Sequence, residues 1–429
     1  MRHSAVPAGH FRPMSRRGLV AATVGHALEW FDWNAYAIFS VFFAGQFFPA
    51  DDPALAQIKA MMIFAIGFFF RPLGGILLGS YTDRFGRRGG LTLSVLLVSG
   101  GSLVMAACPT YAEIGLFAPA LLLLARIVQG LSTGGEFAAA ATYLAEIAPP
   151  GRRGFYSSFA YVTGTLGPLA ATLLAELLFS VLGRSGLAEW GWRVPFAIGA
   201  VLGVYGLHLR RTLHETGPYL AGQDLRVRRP TWEVLRRHPV SGFRVVGFTI
   251  GATVVYYTFL VYLPSYAQDN FGMPAKSALW ASVIAQSAMI VVLPLYGALS
   301  DRFGRKPLLC VFAAGYTVLI VPLFTLLNST PESLVIVMTV GLLLFGCYAA
   351  VAPTAMAELF PTQVRSVGLG MPYSLTVAVF GGTSPHLVER LTDSGHANWF
   401  PWYLAVLCLI SLVVFLTARE TKGINLDQC

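Results

Sequence analysis

Charge is scarce in this chain. Only 12% of its 429 residues are Asp, Glu, Lys or Arg, while 55% are hydrophobic; soluble domains average about 25% charged residues. That deficit excludes an ordinary soluble domain and points to a polytopic membrane protein. Cysteine is sparse as well. The five residues Cys108, Cys310, Cys347, Cys408 and Cys429 are scattered, with no CxxC pair and no partnering His spacing, which excludes a zinc site and a disulfide framework. No GxxxxGK[ST] stretch occurs, so the chain does not itself burn ATP. A channel-type filter repeat is missing. No Ser/His, His/Asp or metal-type cluster converges on a membrane face, and the loops are too short for a catalytic domain. An embedded enzyme is therefore the weakest reading, and no cofactor or metal is expected. Met1 to Arg17 is basic and polar, without the short apolar region and cleavage site of a signal peptide.

What is present in quantity is apolar helix-length sequence. Segments recur at about 19–48, 56–82, 90–108, 114–145, 154–181, 193–211, 243–268, 277–300, 307–327, 332–357, 366–388 and 399–418, each long enough to cross a bilayer. The expected fold is all-α, with twelve transmembrane helices and both termini on one side. Of the 30 Lys and Arg, 23 fall in loops or tails on the side of the termini and five on the other, with only Arg71 and Arg126 inside spans. Positive charge marks the cytoplasmic face, so both termini are expected in the cytoplasm of a multi-pass inner-membrane protein. The net charge of +9 is thereby an orientation signal and not a nucleic-acid footprint; the bilayer is the expected large partner.

The longest connection, 212–242, is Arg-rich and contains Pro218, Pro230 and Pro239. It separates a six-helix bundle at 19–211 from a second at 243–418, with tails at 1–18 and 419–429. Short amphipathic surface helices or a plain tether both fit its sequence. Repetition supports the division. GSYTDRFGRR, with Asp83, Arg84 and Arg87, recurs as GALSDRFGRK, with Asp301, Arg302 and Arg305, at an offset of 218. The pattern from Glu146 to Arg153 recurs from Glu358 to Arg365 at an offset of 212. These acids and arginines read as a latch of ion pairs closing the cytoplasmic side, a bistable element that substrate can tip.

The first span holds the most informative stretch, GHALEWFDWNAY. Glu29 and Asp32 are three residues apart and share a helix face, about ten residues into an apolar run. A carboxylate at bilayer depth costs roughly 2.5–3.5 kcal/mol even on gentle scales, so such acids face a partner, a cavity or a substrate. Their desolvated setting favours protonation, which makes one or the other the expected proton carrier, with His26 one turn earlier extending a relay and Glu136 as a further member. Arg71 in FFFRPLGG and Arg126 in RIVQGLSTGGEF supply permanent charge and a planar fork for carboxylates. They read either as substrate contacts or as neutralising partners of the three acids; that set carries a net −1 if all are ionised. Tyr36, Tyr256 and Tyr257 are further substrate-facing candidates. Gln286, Tyr348 and Tyr373 could serve similarly or simply pack. Arg193, at the outer start of the sixth span, reads as an anion-attracting entry residue or an interfacial anchor. His386 and Glu389 are expected near the outer end of the eleventh span, in water. Gly130, Gly134 and Gly135, with Gly74, Gly75 and Gly79, read as close helix packing.

The paired GxxxDRxGR[RK] loops resemble the signature of the major facilitator superfamily. GHALEWFD, FFFRPLGG, ARIVQGLSTGGEF, GRRGFYSSF, EWGWRVPFAIGA and AELFPTQVRSVGLG are similar to the metabolite:proton symporter family within it, over about residues 19–415. That resemblance implies two six-helix halves in the major facilitator fold, alternating access, and proton-coupled uptake of a small organic acid such as an α-ketoglutarate-like dicarboxylate by a functional monomer. The same family includes proline and betaine symporters, the alternative reading. Two departures bear on cargo: position 26 is commonly Asn and is His26 here, and many members have a Gln where Ala160 stands.

Overall fold

The computed structural model describes residues 16–49, 52–222, 227–396, 398–424 and 426. The expectations placed on the N-terminal tail at 1–15, on Cys429 and on the side chains of His386 and Glu389 lie outside the described residues and side chains. Twelve helical rods follow in order: α1 Arg16–Phe47, α2 Pro53–Phe85, α3 Arg87–Ala107, α4 Phe117–Ile147, α5 Arg153–Gly191, α6 Arg193–Arg210, α7 Pro239–Phe271, α8 Ala275–Phe303, α9 Arg305–Thr325, α10 Pro331–Ala357, α11 365–393 and α12 Trp399–Thr417. Among the described residues, nine of these are long and apolar enough to cross a membrane. The remaining three are α1, which carries Glu29 and Asp32, α6, which ends in His208 and Arg210, and α11, which is rich in Gly, Ser and Pro.

Helix ends follow local chemistry. Asp52 caps α2 by accepting from the Ala54 N–H at 2.9 Å, with Pro53 opening the helix, where its missing donor costs nothing. The same rod bends at Phe70, because Pro72 cannot donate back to the preceding turn; Arg71 stands at that bend. The linker prolines likewise open helices: Pro218 in Gly217–Ala221, Pro230 in Pro230–Arg237 and Pro239 in α7. The linker therefore forms short helices and is no plain tether.

Arg210, at the end of α6, donates to the Ala21 carbonyl near the start of α1 at 3.2 Å, and Arg365, at the start of α11, donates to the Leu426 carbonyl after α12. The start of α1, the stretch after α12 and the linker share one side, since Glu146 binds both Arg365 and Thr216 of the linker; it is called here the terminus side. Within the first half α1 packs on α5 and α6, and α3 on α4 and α6; within the second α8 packs on α10, and α12 on α7 and α9. The halves meet along two seams, α2 with α11 and α5 with α8. Small residues make both seams close. A Cβ on Gly75 would run into the Gly370 backbone, and one on Gly297 into the Gly154 backbone.

Candidate transport site and latch

Away from the terminus-side loops, three buried ionic groups occupy the first half, and they do not form a single network. Glu29 and Asp32 lie some 60° apart around α1, enough to give them different neighbours. Asp32 Oδ2 pairs with Arg126 Nη1 at 3.0 Å, and Asp32 Oδ1 accepts from the Ser102 hydroxyl at 2.6 Å. Gln129 Nε2 donates to Ser102 at 3.3 Å, and the Arg126 guanidinium lies 4.0 Å from the Tyr36 ring centroid. Tyr36 spends its own hydroxyl on the Ala60 carbonyl at 2.8 Å. Tyr36 is thus part of the wall around the Asp32–Arg126 pair.

Glu136 corrects the expected charge set. Its partner is neither Arg71 nor Arg126 but Arg210, at 2.6 Å, and its other oxygen accepts from the Ser94 hydroxyl. Arg210, one of the 23 cations counted on the side of the termini, is fully buried. Adding it makes the buried set neutral when all six ions are charged. Nothing in the local sequence marks Arg210; the helix packing of α1, α3 and α4 around it does.

The third group is unpaired. Glu29 and Arg71 are both buried, and among the described residues neither forms an ion pair. Glu29 Oε2, Arg71 Nε, Arg71 Nη2 and His26 Nδ1 have no hydrogen-bond partner. Arg71 is instead held by ring faces, 3.8 Å from the Phe68 centroid, 4.6 Å from Trp33 and 5.5 Å from Trp30. Glu29, Tyr256, Tyr257 and Tyr373 are within its electrostatic reach. Unsatisfied buried polar atoms are rare in native structures, and a cluster of them around a free guanidinium marks a place built for something polar.

Beside Arg71 the halves enclose an aromatic chamber lined by Trp30, Tyr161, Tyr256, Tyr257, Tyr348 and Tyr373 among others. Trp30 of α1 meets Tyr256 of α7 at 5.3 Å between centroids, and Phe137 of α4 stacks on Tyr373 of α11 at 4.1 Å. The hydroxyls of Tyr257 and Tyr348 are buried without partners. The chamber volume is about 30 Å³, room for ordered water, whereas sites for small molecules typically offer about 300–1,000 Å³. Tyr256 and Tyr257 reach this chamber as expected from the sequence, and Tyr348 and Tyr373 join them. Gln286 is buried in α8 with its Oε1 unpartnered. Arg193 is elsewhere. It donates to the Ala106 and Cys108 carbonyls at 3.0 and 2.6 Å and lies over Trp192, so it caps the end of α3.

On the terminus side two latches repeat. Asp83 accepts from the Ser366 and Val367 N–H groups at the start of α11, at 3.0 and 2.9 Å, and pairs with Arg87 at 3.2 Å. Asp301 does the same to Gly154 and Phe155 at the start of α5, at 2.8 and 2.9 Å, and pairs with Arg305 at 2.7 Å. Each acid thus sits on the positive end of a helix from the opposite half. Glu146 holds Arg87 at 3.0 Å and, from the other half, Arg365 at 2.6 Å. Glu358 holds Arg305 at 3.4 Å and Arg153 at 3.7 Å. Arg84 and Arg302 do not join the latch. Arg84 Nη2 donates to the Arg228 carbonyl of the linker, and Arg302 lies over Phe303 and accepts from Lys422 through its carbonyl.

A matching pair escaped the sequence reading. Glu215 accepts from the Arg87 and Arg88 N–H groups at 2.9 and 3.3 Å, and Glu420 from Arg305 and Lys306 at 2.9 and 3.0 Å. Their neighbours Thr216 and Thr421 donate to Glu146 and Glu358. The repeated Glu-Thr dipeptide after the last span of each half, at an offset of 205, was the available signal. It also explains Gly86 and Gly304, both at φ 104, where a Cβ would collide with Glu215 or Glu420. Most of the inter-half hydrogen bonds and ion pairs among the described residues lie in or beside these latches; midway, Ser374 donates to the Gly134 carbonyl at 3.0 Å and Tyr161 bonds Tyr373 inside the chamber.

Known proteins agree with this architecture. The model of the Major Facilitator Superfamily matches residues 22–371 and again 278–427. α-Ketoglutarate permease of Escherichia coli (strain K12) is 38% identical over 413 residues, covering 95% of this chain and 95% of the relative. A proline/betaine transporter of Salmonella typhimurium is 32% identical over 425 residues, covering 95% of this chain and 84% of the relative. The structure of the proton:xylose symporter XylE bound to 6-bromo-6-deoxy-D-glucose superposes with a TM-score of 0.81, covering 95% of this chain and 97% of that one at 20% identity, a likeness of fold alone. The chain is a multi-pass membrane transporter, not an enzyme, and belongs to the major facilitator superfamily.

Proposed function

We propose that this transporter couples inward proton movement to uptake of a small organic acid, an α-ketoglutarate-like dicarboxylate, by alternating access, with the terminus side facing the cytoplasm of the inner membrane and the monomer as working unit. The observation that carries this reading is Arg71, a buried and unpaired guanidinium with free donors beside the aromatic chamber. An unpaired buried cation is costly, and a bidentate carboxylate is the ligand its fork fits best. Tyr257 and Tyr348 offer hydroxyls to the rest of the cargo. In this reading Glu29 is the proton carrier. It is unpaired, it shares the interior with Arg71, and its protonation removes the one acid that competes with substrate for that arginine. Asp32–Arg126 and Glu136–Arg210 are satisfied pairs that keep the surrounding helices in register and hold charge balance. His26, packed against Gly164 of α5, extends the path from Glu29.

The 30 Å³ chamber and intact latches support a state shut on the terminus side with the aromatic layer closed over the site. Cargo entry then requires that layer to part. A second reading draws on the same aromatic walls: six Trp and Tyr rings suit a quaternary ammonium, as in betaine.

Uptake into proteoliposomes with an imposed pH gradient separates the two. Uphill uptake of labelled α-ketoglutarate, inhibited by four- and five-carbon dicarboxylates and not by betaine or proline, is the expected result. Strong inhibition by betaine with none by dicarboxylates overturns the acid reading. Arg71→Lys is expected to cripple uptake, because a point charge cannot reproduce the fork.

A further inference from the structure

Away from the transport site, the linker helix Pro230–Arg237 stands off the terminus end of α2 and leaves a groove of about 540 Å³ between them. Its α2 wall is Ile76, Leu77, Ser80, Tyr81, Arg84 and Phe85; its linker wall runs from Arg229 to Leu235. The frame is fixed. Ser80 and Thr231 hydrogen-bond at 2.9 Å, Arg84 donates to the Arg228 carbonyl, and Tyr219 donates to the Arg84 carbonyl at 2.8 Å. Val234 is fully buried and holds the linker helix down, whereas Trp232 and Leu235 are 62% and 51% exposed along the groove. The groove opens beside Leu77 and Phe85, themselves exposed apolar residues of a membrane-crossing rod.

The charge around this groove is one-sided. Among the described residues, no carboxylate pairs with Arg84, Arg228, Arg229 or Arg236; the local acid, Glu233, is taken by Arg237 at 3.0 Å. A long apolar slot continuous with the bilayer face, headed by uncompensated guanidinium groups at membrane-surface level, has the two requirements of a phospholipid with a negative headgroup. The acyl chain fills the slot and the phosphate engages Arg84 and Arg229. A free anion lacks the apolar contact, and a zwitterionic lipid brings a positive group to the same cations.

We propose that this groove binds an anionic phospholipid. The bound lipid bridges α2 and the linker helix, and α2 is also the helix whose Asp83 latches α11. The lipid therefore rests on one moving part of the latch.

The test uses the full-length protein purified in detergent and native mass spectrometry with three probes: dioleoyl-phosphatidylglycerol, dioleoyl-phosphatidylcholine and glycerol phosphate without acyl chains. Phosphatidylglycerol retention at least tenfold above both others is expected. It should fall about tenfold in Arg84→Gln/Arg229→Gln, and should stay at the wild-type level in Arg211→Gln, a basic residue outside the groove. Leu77→Phe, a lipid-facing change that narrows the slot without touching charge, is expected to weaken retention several-fold and serves if the double variant fails to fold. Equal retention of the two lipids, glycerol phosphate binding as well as phosphatidylglycerol, or retention unaltered in both groove variants overturns the proposal.

Discussion

The two halves share a fold and a latch but divide the interior chemistry between them. The first half buries Glu29, Asp32, Arg71, Arg126, Glu136 and Arg210, while at the level of the chamber the second half contributes Tyr256, Tyr257, Tyr348 and Tyr373 and, among its described residues, no ion. In the proposed mechanism, a charge on one side of the chamber and neutral hydroxyls on the other let protonation be felt by one half only, with the second half as a polar, aromatic surface facing it. The latches differ in the same sense. Around Glu146 the ion-pair distances are 3.0 and 2.6 Å with fully buried side chains, and around Glu358 they are 3.4 and 3.7 Å with Arg153 partly exposed at 16%.

The contrast is broken hardest by removing a paired arginine from the first half. Arg126→Leu strands Asp32 without its cation and should cost about 3–5 kcal/mol of stability, measured by denaturant or thermal unfolding in detergent. Arg71→Leu, which breaks no ion pair, should cost far less stability while abolishing uptake. Equal destabilisation by the two changes would erase the distinction between paired and unpaired arginines.

Next in size is the proton step. Glu29→Gln should abolish concentrative uptake driven by a pH gradient while leaving exchange of labelled for unlabelled cargo, because a neutral amide mimics the protonated acid. Retained uphill uptake would transfer the proton role to another acid of the set. The latch comparison comes third. Glu146→Gln should open the terminus side more than Glu358→Gln, read as faster thiol labelling of a cysteine replacing Ser374, which is buried between the halves; the reverse order would make the looser latch the stronger one.

Smaller again is the second half's share. Tyr257→Phe or Tyr348→Phe removes one hydroxyl, worth about 0.5–1.5 kcal/mol when it bonds cargo, so KM should rise about 2- to 10-fold with little change in stability. The smallest effect concerns Glu420. Its partial burial would raise its pKa, but backbone N–H groups of Arg305, Lys306, Lys422 and Thr421 outweigh that and hold it below its ordinary 4.5. A carboxylate depressed in the folded state contributes stability above its unfolded pKa and loses it as pH falls through the folded one. A modest drop in melting temperature below pH 4.5, absent in Glu420→Gln, is the expected signature.

Much of this was legible in the chain itself. The twelve rods, the repeated DRFGR loops and the acids of the first span follow from hydropathy, spacing and the cost of charge in a bilayer. Those are properties of local stretches, and any fold that keeps the stretches must keep them. Pairing was not legible. Glu29 and Asp32 differ by three positions and a rotation of some 60°, and only the packing of α3 and α4 against α1 decides that Asp32 meets Arg126 while Glu29 stays free. Arg193 and Arg210 show the same limit from opposite directions. Each stands at a helix terminus, where sequence reads a surface cation. One is consumed by the carbonyl groups ending α3, and the other is drawn inside by Glu136. An arginine reaches far enough to choose among neighbours from different helices, and the sequence names the arginine without naming those neighbours.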